Sequence, residues 1–138
     1  MEAAPRSQVA DHYARGTLIA DIRDGLAAMG KTESTVMAED LSPVDEFHIG
    51  GRAATGELAG QLALTTEDRV LDIGCGLGGP ARQIAAHYGC QVTGIDLTRD
   101  YIDAGNVLSS WLHLEELVSL QQGDALGLPF PDGSFTAA

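Results

Sequence analysis

Four glycines and an aspartate lie within the stretch VLDIGCGLGG, residues 70–79. The apolar run before the glycines predicts a buried strand, and Pro80 after them suits the first turn of a helix. Glycine at such a turn lets a ligand come close to the backbone, because no Cβ is in the way. The amides and positive dipole end of the following helix would point at the same place. The pattern favours a ligand site over a simple tight turn.

Two classes of ligand fit the spacing of these residues. Gly74, Gly76 and Gly79 satisfy the dinucleotide pattern GxGxxG, and Asp96 follows Gly76 by 20 residues, where a ribose-binding acid belongs. Asp72 instead favours a second class, a ligand with positive charge. A carboxylate about 5 Å from a pyrophosphate would cost roughly 3 kcal/mol per unit charge at an effective dielectric near 20. S-adenosylmethionine (AdoMet) has a net positive charge and would be attracted to the same carboxylate, so the electrostatics favour AdoMet over NAD.

The elements that position these residues alternate between strand and helix. RVLDI, QVTGID and VSLQQ predict three strands, and SFTAA predicts the beginning of a fourth. A helix from Pro80 ends before Gly89, and Thr98 can cap another helix whose predicted buried residues are Tyr101, Ile102, Val107, Leu108 and Trp111. This alternation predicts an α/β fold with a doubly wound, Rossmann-like parallel sheet.

The upstream part of the chain predicts a helical cap. Residues 8–29 indicate a helix with an apolar stripe, ended by Gly30, and residues 52–64 indicate a second helix. The polar stretch between them, residues 31–47, contains Ser42-Pro43 and predicts a loop, with residues 31–50 forming a mobile lid. We therefore predict an N-terminal cap or lid region at residues 1–66 and a ligand-binding core at residues 67–138. The apolar stripes are Ile19, Ile22, Leu26 and Met29 in the first helix, and Ala54, Leu58 and Leu62 in the second.

Three motifs carry a family resemblance. VLDIGCGLGGPAR, VTGIDLT and QQGDALGLPFPDGSF, in this order and spacing, resemble the class I AdoMet-dependent methyltransferases, in particular their type-11, small-molecule branch. The resemblance covers residues 67–138. Upstream, DHYARG and SPVDEFHIGGRAAT are similar to the leading segments of sarcosine and dimethylglycine methyltransferases. One position departs from the family pattern: Thr136 stands where these proteins usually have an acid.

The resemblance implies roles at the first strand. Gly74, Cys75 and Gly76 would pass under the methionyl part of AdoMet, and Asp72 would be directed toward its amino group.

The resemblance also implies roles at the second and third strands. Asp96 would accept hydrogen bonds from both ribose hydroxyls, a pair that suits the two oxygens of a carboxylate. Leu97 would lie against the adenine face, Asp124 would accept the exocyclic amine, and the Ala125 amide would serve a ring nitrogen. Two alternatives remain open: Asp96 as an ordinary strand-end acid, and Asp124 as a turn-forming residue after Gly123.

No catalytic residue is predicted. A general base is needed only if the methyl acceptor must lose a proton. His12, Tyr13 and His48 could face the crevice from the cap, but each is better interpreted as a packing residue. His87 and His113 are predicted to lie on helix surfaces.

Composition excludes several kinds of partner. The chain has 138 residues and a formal net charge of −12, which opposes binding to nucleic acid or to anionic membranes. No apolar run reaches the 18 or so residues that span a bilayer, and the N-terminus lacks a secretory pattern. Cys75 and Cys90 are too far apart for a zinc motif, so no metal is expected. Two reduced thiols favour a cytoplasmic location.

The resemblance implies a seven-stranded sheet in the order 3-2-1-4-5-7-6, of which this chain would supply strands 1–3 and a stub of strand 4. We therefore expect the 138 residues to be part of a longer chain, with an uncovered sheet edge that would form a homodimer. The predicted function is AdoMet-dependent methyl transfer to a small molecule. The alternatives are a non-catalytic AdoMet- or nucleotide-binding module and, less favoured, an NAD-dependent oxidoreductase.

Overall fold

A computed structural model describes residues 17–46 and 50–138 as five helices and three strands. Three helices precede the sheet: α1 (Thr17–Ala28), α2 (Ala38–Asp45) and α3 (Gly51–Gly60). The strands and the two helices between them then alternate along the chain as β1 (Arg69–Ile73), α4 (Gly79–Tyr88), β2 (Gln91–Asp96), α5 (Arg99–Trp111) and β3 (Val118–Gln122).

The three strands form a parallel sheet in the order β1-β2-β3. Asp72 of β1 pairs with Gly94 of β2, which in turn pairs with Leu120 of β3. The strands predicted from the sequence are confirmed at the same residues. Because parallel strands end at the same edge, the glycine loop after β1 and the residues after β2 and β3 are neighbours.

A single β-bridge lies against the other side of β1. The Leu71 amide donates to Ala137 O at 2.9 Å, the Thr136 amide donates to Arg69 O at 2.8 Å, and Val70 and Ala137 form a parallel bridge. This bridge is on the side of β1 away from β2, where the family resemblance implies a fourth strand, and the order 3-2-1 of the three strands is confirmed. Thr136, the departure from the family pattern, also accepts a hydrogen bond from the Arg69 amide at 2.9 Å.

Two apolar clusters hold the helices to the sheet. The first joins the strands to α4 and α5 through residues such as Val92, Ala81 and Val118. The second joins α1 and α2 to α5 through Ile22, Leu26, Leu41, Leu77, Ala104, Leu108 and Val36. The helices α1 and α2 therefore bury their apolar residues against α5, which itself contacts β3.

The prediction of a loop over residues 31–47 is wrong between Ala38 and Asp45, where the chain forms α2. Leu41 in this helix has no exposed surface, and Pro43 lies inside it. Eight residues are too few to show a helical period, and four of these are polar. Tertiary contacts, rather than the local pattern, select the helix.

The predicted apolar stripes are correct only in part. In α1, Ile22 and Leu26 are buried but Met29 is 56% exposed, and Gly30 ends the helix with a φ of +73°. Residues 8–16 of the first predicted helix lie outside the described residues.

The stripes of the other two helices are corrected in the same way. In α3 the buried residues are Thr55 and Ala59, whereas Leu58 and Leu62 are exposed. In α5, Ile102 and Leu108 are buried as predicted but Tyr101 is exposed, and Val107 and Trp111 are half-buried. Thr98 precedes α5 without capping it through its side chain.

Candidate functional site

The first half of the glycine loop presents bare backbone. Gly74 and Gly76 have φ angles of +75° and +56°, and a Cβ added to either would meet no atom within 4 Å. The amides of Gly74 and Cys75 both donate to Ile95 O, at 2.8 and 3.1 Å, which fixes this part of the loop against β2. These two glycines therefore have the form that a close ligand requires.

The second half of the loop is bare for a different reason. A Cβ on Gly78 would lie 2.8 Å from Leu120 Cδ1, and one on Gly79 would lie 2.7 Å from the carboxyl carbon of Asp45. These glycines make room for β3 and α2 and not for a ligand.

Asp96 ends β2 directly beside the open half of the loop. Its Oδ2 accepts the Gly76 amide at 3.0 Å and its Oδ1 accepts the Thr98 amide at 2.9 Å. A carboxylate offers about four acceptor positions, so these two bonds leave capacity for two more donors. Two backbone amides therefore orient the half-buried Asp96 side chain, and its carboxylate can still accept further hydrogen bonds at the edge of the sheet.

A cavity of about 260 Å³ opens at this edge. Five of the eight predicted site residues line it: Gly74, Asp96, Leu97, Asp124 and Ala125. Leu97 exposes 67% of its surface, as expected of an apolar side chain that has no protein partner. The other residues in the lining are Ile73, Ile95, Thr98 and Gly123.

Asp124 has a structural role in this loop. Its Oδ1 accepts the Leu126 amide at 2.9 Å and its carbonyl accepts the Gly127 amide at 3.0 Å. Asp124 therefore forms a turn after Gly123. Its contact with adenine stays a prediction.

Asp72 opens on a second, more apolar cavity of about 320 Å³ between β1, α3 and α4. Leu58 and Leu62 line it, which explains why these side chains remain exposed. Gly74 belongs to both cavities, so the two carboxylates are on either side of this one glycine.

Cys75 turns its side chain into the core. It is 4% exposed, and a Cβ on Gly94 would lie 2.8 Å from its Sγ. Burial, together with the carboxylates of Asp72 and Asp96, raises the pKa of the Cys75 thiol to about 12. The thiol is therefore neutral and unreactive, and only the backbone of Cys75 can serve a ligand.

Sequence reasoning missed Arg82 and Asp45. Their side chains are 2% and 4% exposed, and Arg82 Nη2 donates to Asp45 Oδ2 at 2.7 Å. Burial raises the pKa of the Asp45 carboxyl, and the hydrogen bond from Arg82 opposes that shift. An arginine in the middle of PARQIAAHY looks like a surface residue, and no sequence signal pairs it with an aspartate 37 positions earlier.

The candidate bases predicted in the cap are three residues. His12, Tyr13 and His48 lie outside the described residues. His87 is exposed on α4, as predicted, whereas His113 is exposed in the turn after α5, with a φ of +58°, and not on a helix. Among residues 17–46 and 50–138, no group of three or more His, Cys, Asp and Glu side chains is placed to hold a metal ion. The helices described there are also too short and too polar to cross a bilayer.

Comparison with known proteins identifies the family. Residues 70–138 match the family model described as a methyltransferase domain. This chain belongs to that family. The match begins at β1 and includes the glycine loop, Asp96 and the stub of the fourth strand, so the resemblance predicted from the three motifs is confirmed.

Curated relatives of this methyltransferase domain are longer proteins. The chain is 44% identical over 78 residues to a sterol 24-C-methyltransferase of Eremothecium gossypii, covering 56% of this chain and 21% of that protein. It is 31% identical over 136 residues to the O-methyltransferase resE of Aspergillus sclerotiorum, covering 99% of this chain and 48% of that protein. The chain thus spans between about a fifth and a half of these two relatives.

A solved structure has the same fold. The geranyl diphosphate C-methyltransferase of Streptomyces coelicolor, in complex with Mg²⁺, geranyl diphosphate and S-adenosyl-L-homocysteine, is 28% identical. It superposes with a TM-score of 0.59 over 62% of this chain and 33% of its own. The predicted Rossmann-like α/β fold, incomplete after the fourth strand begins, is confirmed.

Proposed function

We propose that this methyltransferase domain binds AdoMet at the edge of its sheet and supports methyl transfer to a small molecule. The observation that carries the proposal is the cavity where the open backbone of Gly74 meets the Asp96 carboxylate and the exposed Leu97 side chain. This lining suits a nucleoside: a carboxylate for vicinal hydroxyls, an apolar side chain for a base, and bare backbone for the rest.

The residues fit AdoMet better than a dinucleotide. Gly74 adjoins both cavities, so a ligand extending past it from Asp96 meets the carboxylate of Asp72. That carboxylate attracts an ammonium or sulfonium and repels a pyrophosphate. Asp72, Gly74, Cys75 and Gly76 would hold the methionyl part. Asp96, Leu97, Asp124 and Ala125 would hold the adenosyl part.

For methyl transfer the protein mainly has to orient the methyl donor and the acceptor. AdoMet supplies an already activated methyl group when bound. The loop and the two carboxylates orient the donor, and Leu58 and Leu62 give the neighbouring cavity an apolar lining. A small-molecule acceptor agrees with the relatives, which are named for sterol and other small-molecule methylation.

Calorimetric titration of the chain with AdoMet, S-adenosylhomocysteine and NAD tests the proposal. We expect the first two to bind and NAD to bind far more weakly. Asp96→Asn should weaken AdoMet binding at least about tenfold, because a charge-assisted hydrogen bond is worth about 1.5–3 kcal/mol. Asp103→Asn, which changes an exposed acid on α5, is the matched control. Preferential binding of NAD, or unchanged affinity in Asp96→Asn, would contradict the assignment.

The open side of β1 supports a homodimer. Among the described residues no strand pairs with β1 beyond Leu71 on the side of Ala137, and Ile73 at the end of the strand is 47% exposed. Leu58 and Leu62 lie beside this edge, where a second copy could cover them.

The two cysteines support a cytoplasmic location. Cys75 and Cys90 are both unoxidised and buried, which agrees with a reducing compartment. The division into a cap region at residues 1–66 and a core at residues 67–138 also remains part of the proposal.

A further inference from the structure

Arg82 connects the glycine loop to two helices. Its Nη1 donates to Leu77 O in the loop at 2.8 Å, and to Gly105 O and Ser109 Oγ of α5 at 3.1 and 3.3 Å. Its Nη2 donates to Asp45 Oδ2 at the end of α2. Nη1 carries two hydrogens, so one of them is shared between two of its three acceptors, and the planar guanidinium aims Nη2 at Asp45 at the same time.

The second half of the loop is enclosed around this group. A Cβ on Gly78 would lie 3.0 Å from Arg82 Nη1, and one on Gly105 would lie 2.6 Å from Leu77 O. Leu77 itself is 2% exposed. The position of Leu77 is therefore set by Arg82 and α5, with no space for an alternative arrangement.

The position of Leu77 and Gly78 in the second half of the loop determines the position of Gly76 in the first half. Gly78 donates its amide to Cys75 O at 2.9 Å, so residues 75–78 form one hydrogen-bonded turn. The adjacent Gly76 amide donates to Asp96 Oδ2. Moving Leu77 would therefore turn the Gly76 amide and release one oxygen of the Asp96 carboxylate.

We propose that Arg82, held by Asp45, is a positioning residue for AdoMet: it sets the loop and the Asp96 carboxylate in the shape that binds the cofactor. AdoMet affinity then depends on α2 remaining in place against α4. This inference rests on the proposed function.

Arg82→Lys and Asp45→Asn test the inference. Lysine keeps the charge beside Asp45 but cannot reach the acceptors at Leu77, Gly105 and Ser109 together. Asparagine keeps the shape of Asp45 but removes the charge that holds the guanidinium. The dissociation constant of S-adenosylhomocysteine should rise about fivefold to thirtyfold in both variants. It is measured by calorimetry without urea, at a temperature where each variant is folded.

Arg99→Lys is the matched control, because it makes the same change in the exposed Arg99–Asp103 pair. It should leave the dissociation constant within about twofold of wild type. If Arg82→Lys and Asp45→Asn are folded and bind like the control, Arg82 stabilises the fold but does not position the loop, and the inference is wrong.

A measurement on the wild-type chain covers the case in which the variants do not fold. Coupling between two sites is reciprocal, so a ligand that needs α2 in place must also hold α2 in place. Saturating S-adenosylhomocysteine should slow hydrogen exchange of the backbone amides of residues 38–46. Unchanged exchange there, with ligand bound, would overturn the inference alone. No binding of ligand to the wild-type chain would overturn the proposed function and this inference together.

Discussion

Single residues in the glycine loop have roles that their type alone does not reveal. Gly74 and Gly76 face open space, whereas Gly79 allows α2 to contact the beginning of α4. Both kinds of position favour glycine, the first because its φ is positive and the second because a neighbouring helix is close. The Asp45 carboxyl group, at the end of α2, also lies near the N-terminus of α4, where the positive end of the helix dipole favours negative charge.

The role of Gly79 predicts a large effect from one methyl group. In Gly79→Ala the new Cβ would lie 2.7 Å from the Asp45 carboxyl carbon, so α2 must move. We expect a loss of about 1–3 kcal/mol in the free energy of unfolding, measured by urea titration. Gly127→Ala is the control, because a Cβ there meets nothing within 4 Å. Equal stability of the two variants would show that α2 is not tightly packed at Gly79.

Hydrogen bonds of Asp68 connect the secondary-structure elements on either side of β1. Asp68, before β1, accepts the Thr65 amide at 2.7 Å and the Thr136 hydroxyl at 2.8 Å. These bonds hold the pKa of Asp68 below its ordinary value of 3.8, because they favour the ionised carboxylate. The ionised side chain therefore joins the turn before β1 to the strand beside it.

The lowered pKa of Asp68 predicts a pH-dependent contribution to stability. Because the pKa is lower in the folded state, the contribution is fully present above pH 3.8 and is lost as the pH falls below 3.8 through the folded value. Asp68→Asn should lower the urea midpoint at pH 7, and the difference from wild type should shrink in acid below pH 3.8. Glu67→Gln, which alters the neighbouring exposed acid, should show no such trend. A difference that persists unchanged at low pH would contradict the assignment.

The whole molecule combines a strongly acidic surface with an open apolar edge. Its net charge of −12 opposes self-association at long range, whereas Leu58, Leu62 and Ile73 favour it on contact. Salt screens the repulsion between charges without weakening apolar contact.

The balance between charge and apolar contact predicts salt-dependent dimerisation. In sedimentation experiments the fraction of dimer should rise as the ionic strength increases. Leu62→Lys should lower it, because a charge would then stand at the edge beside β1. Leu126→Lys changes a leucine that is 96% exposed in a different loop and is the control. A monomer at all salt concentrations, or equal effects of the two variants, would rule out an interface at this edge.

Local sequence determined the strands, the two helices between them and the residues at the edge of the sheet. Each of these follows from signals within a few residues: apolar runs for β1 and β2, glycine at positions 74 and 76, and an acid at the end of a strand. Such signals report what a backbone segment can do by itself, and they were sufficient to predict the fold and two residues that line the cavity at the edge of the sheet, Gly74 and Asp96. Leu97, Asp124 and Ala125 followed only from the family resemblance.

Tertiary structure alone decided which residues hold the site in shape. α2 is a helix because Leu41 and Asp45 find partners in the core, and Arg82 is buried because an aspartate 37 positions away reaches it. Gly78 and Gly79 are bare because other elements approach them, and Leu58 and Leu62 face a cavity where the helical period predicted a core. The physical reason is the same in each case. Whether a residue is buried depends on the residues that pack against it, and those residues are distant along the chain.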